Sequence, residues 1–247
     1  MASKILVRCA RRGIALALLA ALFGCGGGGG GGDAAVEPVA VAPQPQQAPQ
    51  VAPEPIRCDI TLYGDSILAG VYLDDNGVGQ TWPLHAAISI NLHRPKYRVV
   101  DKSQPGQSLY ALTLDIYNQQ RDTKFVVVES GVIDSWVAEP IGPRLMGLVQ
   151  FLQAEGRKVI ITGFARQAVK TGKFFWLTQD QIDFHDEWNE AARYVAQQTG
   201  STFADWGAVA FNGESDIIDA VHPAEAYSLR LADSLIAAMD RAAPECR

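Results

Sequence analysis

Three residues of this 247-residue chain have the types and spacing for nucleophilic catalysis: Ser66, Asp219 and His222. Ser66 stands in "LYGDSILAG" (62–70), where an apolar run stops at Gly64, Asp65 and Ser66. A serine hydroxyl is a weak nucleophile unless it has a base, an orienter for that base and donors for the oxyanion. The chain has four histidines. His85 and His93 lie in or beside the first expected helix and His185 lies in a long one, positions that suit surface or packing roles. His222, in "DIIDAVHPAEA" (216–226), falls on a loop just before the last expected helix, three residues after Asp219. On a turn, that spacing lets Asp219 reach the ring nitrogen turned away from a substrate, fixing the tautomer and steadying the imidazolium. Each motif alone is ambiguous. Asp65 and Ser66 could simply cap a helix, since both side chains accept N–H bonds at helix starts. Asp-x-x-His could be a polar loop ahead of a helix N-terminus.

The elements that must position these residues alternate. "CDITLYG" (58–64), "YRVVD" (97–101), "KFVVVES" (124–130), "KVIITG" (158–163) and "STFADW" (201–206) read as strands. "WPLHAAISINL" (82–92), with Pro83 suited to a first turn, "SLYALTLDIYNQQ" (108–120) and "GPRLMGLVQFLQAEG" (142–156) read as helices. So do residues 179–200, ended by Gly200, and 223–239, where Tyr227, Leu231, Leu235 and Met239 form one apolar stripe. Strands alternating with helices predict a three-layer α/β/α sandwich around a parallel sheet, with a flavodoxin-like strand order 2-1-3-4-5. Such sheets bind ligands at the carboxyl ends of their strands. The loops 64–70, 103–108 and 131–136 all begin there.

With those motifs placed, residues 58–247 resemble the SGNH/GDSL hydrolase family. "YGDSILAGVYLDDNGVGQTWPLHAAISINL" (63–92) is similar to the family's first block and the helix after it, and "DAVHP" (219–223) to its last block. Gly106 in "SQPGQSL" (103–109) matches the second-block glycine. The resemblance implies that Ser66 is the nucleophile, His222 the general base and acid, and Asp219 the orienter. It also implies that the N–H groups of Ser66 and Gly106 face the oxyanion. The third block of the family reads Gly-x-Asn-Asp, and its Asn is a third oxyanion donor. Here the stretch is "ESGVIDSW" (129–136), so Gly131 and Asp134 fit but Ile133 replaces the Asn. Losing one such donor costs a serine hydrolase about 10²–10³ in turnover. Ser130, Ser135 or Gln107 could supply the missing bond, two donors could suffice, or the domain could have given up hydrolysis.

Long aromatic residues stand near the same edge. Phe174, Phe175 and Trp176 follow one another in the loop 164–181, and Trp136 lies beside the third block. They could wall an acyl pocket or a sugar platform, or they could pack under the loop. No metal-ligand spacing and no Gly-rich phosphate loop is visible, so no cofactor is expected.

The ends of the chain speak to location. Residues 1–25 read as an export signal: Lys4, Arg8, Arg11 and Arg12, then the apolar "GIALALLAALFG" (13–24), too short to span a bilayer. "LFGC" (22–25) resembles the lipobox of bacterial lipoproteins, which implies that Cys25 is acylated and becomes the N-terminus. Gly26 after it resembles lipoproteins sent to an outer membrane. Residues 26–57, seven glycines and then a Pro-rich stretch, cannot build a core and read as a tether. Its Pro-rich part would reach on the order of 75 Å. Of the four cysteines, Cys9 leaves with the signal and Cys25 takes the lipid, so Cys58 and Cys246 are expected to pair. Loss of the four basic signal residues takes the net charge from −6 to about −10, a poor match for nucleic acid.

The expectation is a membrane-tethered, extracytoplasmic serine esterase acting on acyl or acetyl esters of small molecules, glycans or lipids. Its rivals are a non-catalytic glycan- or peptide-binding module, favoured by Ile133, and an O-acyltransferase using the same three residues.

Overall fold

Four apolar residues in a row, Phe125–Val128, are buried on both faces, as a central strand of a parallel sheet must be. The computed structural model describes residues 57–129, 131–137 and 140–247. The signal, Cys25 and nearly all of the tether lie outside the described residues. In chain order the elements are β1 (Asp59–Tyr63), β2 (Val71–Leu73), β3 (Gly79–Thr81), α1 (Ala86–His93), β4 (Arg98–Asp101) and α2 (Leu109–Asn118). Then come β5 (Phe125–Val128), α3 (Val132–Val137), α4 (Gly142–Ala154), β6 (Lys158–Thr162), β7 (Lys170–Thr171) and β8 (Trp176–Leu177). The chain closes with α5 (Gln179–Thr199), β9 (Thr202–Ala204) and α6 (Glu225–Ala242).

The main sheet is all parallel, in the order β4-β1-β5-β6-β9. Counted along the chain this is 2-1-3-4-5, as the alternation predicts. Side chains of successive strand residues leave by opposite faces. Ile60, Leu62, Phe125, Val127 and Ile160 accordingly pack with α1 and α6. Tyr63, Val126, Val128, Val159 and Ile161 pack with α2, α4 and α5. All four members of the α6 stripe, Tyr227, Leu231, Leu235 and Met239, are buried. Helix α5 is closed at both ends by its own sequence. Thr178 and Gln181 form a capping box, and Gly200 takes the left-handed C-cap at φ 66°.

Three features differ from the expectation. The first helix begins at Ala86 rather than in the first turn after Trp82, so Pro83 lies outside it. No helix follows Ser66: residues 65–70 make a single turn, closed by Ala69 N–H to Asp65 O at 3.1 Å and Val71 N–H to Ser66 O at 2.9 Å. Two hairpins, β2–β3 and β7–β8, stand apart from the main sheet. At the opposite end of the sheet from these loops, Cys58 and Cys246 are disulfide-bonded, with Cα atoms 5.6 Å apart. Helix α6 runs antiparallel to β1, and this brings the last residues back to the first.

Candidate active site

Ser66, His222 and Asp219 meet at the carboxyl edge of the sheet. His222 Nε2 lies 2.8 Å from Ser66 Oγ, and His222 Nδ1 lies 2.7 Å from Asp219 Oδ2. All three side chains are buried. The partners fix the proton positions. Asp219 accepts at Nδ1, so a neutral His222 carries its proton there and offers the Nε2 lone pair to the Ser66 hydroxyl. Burial alone would push the Asp219 carboxyl up. The His222 hydrogen bond and charge, with N–H groups of Leu73 and His222, outweigh it and hold the group below the usual carboxylate range.

Every Asp219 oxygen is occupied. Oδ2 also accepts the Leu73 N–H at 2.7 Å, and Oδ1 accepts the N–H groups of Val221 at 3.2 Å and His222 at 2.9 Å. Between them Ala220 is forced to φ 78°, a left-handed conformation costly for alanine. Surrounding segments hold this loop in place. The Trp82 indole N–H donates to Pro223 O at 3.0 Å while its ring stacks on Tyr72 at 4.0 Å. Gln167 donates to Val221 O at 2.7 Å, and Lys170 to Ile217 O at 2.6 Å. Gly172 passes so close that a Cβ there would lie 2.5 Å from Asp219 O. Both hairpins and the loop after β6 thus brace the Asp219–His222 turn, a role that sequence reasoning missed.

Ser66, Gly106, Ile133 and His222 line one cavity of about 330 Å³, with Val71, Leu73, Pro105, Val132, Trp136, Phe175 and Val221. Gly106 has φ 77°, and a Cβ added there meets nothing within 4 Å. Conformation, not space, calls for glycine at this turn. At Gly131 both apply: φ is 152°, and a Cβ would overlap the Phe164 ring at 1.6 Å.

Ile133 presents its side chain to this cavity from the first turn of α3, where a donor was expected. Two of the suggested substitutes point elsewhere. Ser135 Oγ donates to Val132 O at 2.6 Å and lies 2.9 Å from His185 Nε2. The Gln107 side-chain amide turns its nitrogen to the Asp115 carboxylate and donates there. Ser130 lies outside the described residues. The other histidines sit apart from the triad: His85 at the start of α1, His93 exposed at its end, and His185 buried in α5. Burial lowers His185 to about 4, so it is neutral at neutral pH.

Trp136, Phe174, Phe175 and Trp176 do line a pocket. With Gln181 they enclose a second cavity of about 400 Å³, which shares Trp136 and Phe175 with the first. Phe175 is the hinge between them, its ring 5.7 Å from His222 and 5.9 Å from Trp136. Trp176 is 66% exposed.

Behind Ser66 lies a group of buried acids, Asp65, Glu129 and Asp134. Glu129 follows β5 directly and accepts the Asp65 N–H at 2.8 Å. Asp134 accepts the Leu109 N–H with both oxygens, at 3.1 and 3.0 Å, at the start of α2. The signal for Glu129 was a carboxylate directly after four buried apolar residues.

No family model and no curated protein matches the sequence. Solved structures do match it. The crystal structure of TesA aligns with a TM-score of 0.56 at 20% identity, covering 74% of this chain and 99% of TesA. An acetyl xylan esterase aligns at 0.57 and 16%, covering 73% and 98%. A GDSL-like lipase from Bacteroides thetaiotaomicron aligns at 0.59 and 14%, covering 75% and 89%. The chain has the SGNH/GDSL hydrolase fold.

Proposed function

We propose that this protein is a serine esterase whose nucleophile is Ser66. The observation that carries the reading is the relay Ser66–His222–Asp219, at 2.8 and 2.7 Å, opening on a cavity shared with Gly106. Ser66 Oγ attacks the ester carbonyl as His222 Nε2 takes its proton. The N–H groups of Ser66 and Gly106 hold the oxyanion, and His222 returns the proton to the leaving alcohol. Water, activated by the same imidazole, then frees the acyl group. Asp219 stays ionised and steadies the imidazolium. The cavity walls are apolar, and the adjoining aromatic pocket takes the apolar face of the substrate.

The fold neighbours include acetyl xylan esterases and a GDSL-like lipase, so acyl or acetyl esters on glycans or lipids are the classes to test. An extracytoplasmic, lipid-anchored location rests on the pattern of residues 1–25. It gains support from the Cys58–Cys246 bond, since disulfides persist in oxidising compartments. Palmitate labelling that survives in Cys25→Ala would remove the anchor from this reading.

The test of the activity is fluorophosphonate labelling and p-nitrophenyl acetate turnover, wild type against Ser66→Ala. Labelling and turnover that vanish in the variant are expected. Absence of both in the wild type would leave the binding module favoured by Ile133. Labelling without appreciable hydrolysis, with turnover restored as acyl transfer once a sugar acceptor is added, would identify an O-acyltransferase.

A further inference from the structure

Two buried carboxyl groups behind the nucleophile take no part in the proton relay. Asp65 precedes Ser66, and Glu129 follows the central strand; they are 1% and 4% exposed. Glu129 Oε2 lies 2.8 Å from the Asp65 backbone nitrogen, so the two carboxyl groups are neighbours and each feels the other's charge. Two carboxylates cannot bond unless one carries a proton. With Glu129 ionised, Asp65 Oδ2 is buried without a donor, while Asp65 Oδ1 accepts the Ile67 N–H at 2.7 Å.

Glu129 is wedged against the backbone that leads into Ser66. Its own N–H donates to Tyr63 O at 2.9 Å, and its Oε2 accepts the Asp65 N–H at 2.8 Å. A Cβ on Gly64 would lie 2.5 Å from that oxygen, so only glycine lets the carboxyl approach. The other ionisable groups facing the pair are Asp134 of α3 and His222.

We propose that Glu129 is a positioning residue of the esterase: protonated, it donates to the Asp65 carboxylate while accepting the Asp65 N–H, and so sets the Ser66 turn against the Gly106 loop. The inference rests on the esterase reading for its catalytic consequence. Burial first, and then the Asp65 charge, pushes Glu129 well above the usual carboxylate range; burial pushes Asp65 up to about 6. Both shifts favour a pair that shares one proton, and Glu129, the more strongly raised, is the group that holds it in this proposal. Two like charges at this distance repel. Loss of the proton at alkaline pH would push the Asp65 backbone away and carry the Ser66 N–H off the oxyanion. Turnover falls, while the apolar cavity that binds substrate is unchanged.

The experiment measures kcat and KM against pH for wild type, Glu129→Gln and Glu129→Ala, with the infrared carbonyl band of a protonated carboxyl as an independent readout. Glu129→Ala is expected to lose on the order of 10-fold or more in kcat, with KM little changed. Glu129→Gln, whose amide both donates to Asp65 and accepts its N–H, recovers most of that loss and lacks the alkaline fall of the wild type. The band, present in wild type above the usual carboxylate range and lost on the alkaline limb, disappears in Glu129→Gln. If Glu129→Ala does not fold, the wild type and Glu129→Gln decide the matter alone. A Gln variant that shares the wild-type alkaline limb, or that is no better than Ala, overturns the proposal. Turnover without the band overturns this inference and spares the esterase; the band without turnover does the reverse.

Discussion

The Leu73 backbone N–H donates to Asp219 Oδ2 at 2.7 Å, the same oxygen that lies 2.7 Å from His222 Nδ1. A three-residue strand of a detached hairpin thus completes the environment of the carboxylate bonded to the His222 ring. Its other oxygen faces two further N–H donors. Asp219 consequently sits in a cage of donors that only a carboxylate can satisfy.

Asp219→Asn is therefore expected to be at least as damaging as Asp219→Ala. Turned one way, the amide NH₂ meets the Leu73 N–H and pulls His222 to the wrong tautomer; turned the other, it meets the N–H groups of Val221 and His222, whereas alanine leaves room for a water acceptor. We expect a loss of about 10³-fold or more in kcat for Asn, with KM nearly unchanged. Steady-state kinetics of the two variants on p-nitrophenyl acetate check this; an Asn variant clearly more active than Ala would contradict the cage.

Ile133→Asn should raise turnover. Ile133 already lines the cavity that holds Ser66 and Gly106, and Ser135 and Gln107 are committed to other partners. An amide there adds a donor for the oxyanion, worth up to about 10²–10³ in kcat, of which at least about 10-fold is expected. Ile133→Ala controls for added space. Equal kcat in the Asn and Ala variants would show that this position does not face the oxyanion.

The main sheet was legible because each of its strands is a short apolar run between turn signals, and its order followed from the alternation with helices. The meeting of Ser66, Asp219 and His222 was legible because Asp-x-x-His on a loop before the last helix and Gly-Asp-Ser after the first strand both fall at the carboxyl edge of the sheet. The braces were not. Strands β2, β3, β7 and β8 have two or three residues each and are mostly outside the core, so no alternation marks them. The Leu73 contact uses a backbone N–H, which every residue but proline has. Asp65 read as a cap and Glu129 as the polar end of a strand; only their meeting across 64 residues shows a buried acid pair.

Opening the Cys58–Cys246 bond should cost stability and spare the chemistry. The bridge closes a span of 188 residues, for which chain entropy gives about 5 kcal/mol. For a domain of this size that corresponds to a fall in Tm on the order of 10 °C. The bond lies at the amino ends of the strands and Ser66 at the carboxyl ends. Cys58→Ser/Cys246→Ser should accordingly keep the wild-type rate of fluorophosphonate labelling well below its Tm. Calorimetry with and without reductant checks the first part; an unchanged Tm would mean that the bridge adds nothing.

His185 should give the fold an acid-sensitive component. Burial lowers it from 6.5 to about 4, while its Nε2 lies 2.9 Å from Ser135 Oγ. As pH falls from 6.5 towards 4 the unfolded chain binds a proton that the folded one refuses, so stability is lost through that window. Full protonation of the unfolded state would cost about 3 kcal/mol. Asp65 works in the opposite sense: raised to about 6, it favours the folded state as pH falls. Glu129 shifts in the same sense as Asp65, and Asp219, held low, adds to the acid loss, so the net curve mixes several groups and only a variant isolates His185. His185→Gln keeps an N–H for Ser135 but has no titrating ring. Urea unfolding at about pH 7 and about pH 4.5 should show a smaller acid loss in His185→Gln than in wild type, by about 2 kcal/mol. Parallel curves would mean that the ring takes up its proton without unfolding.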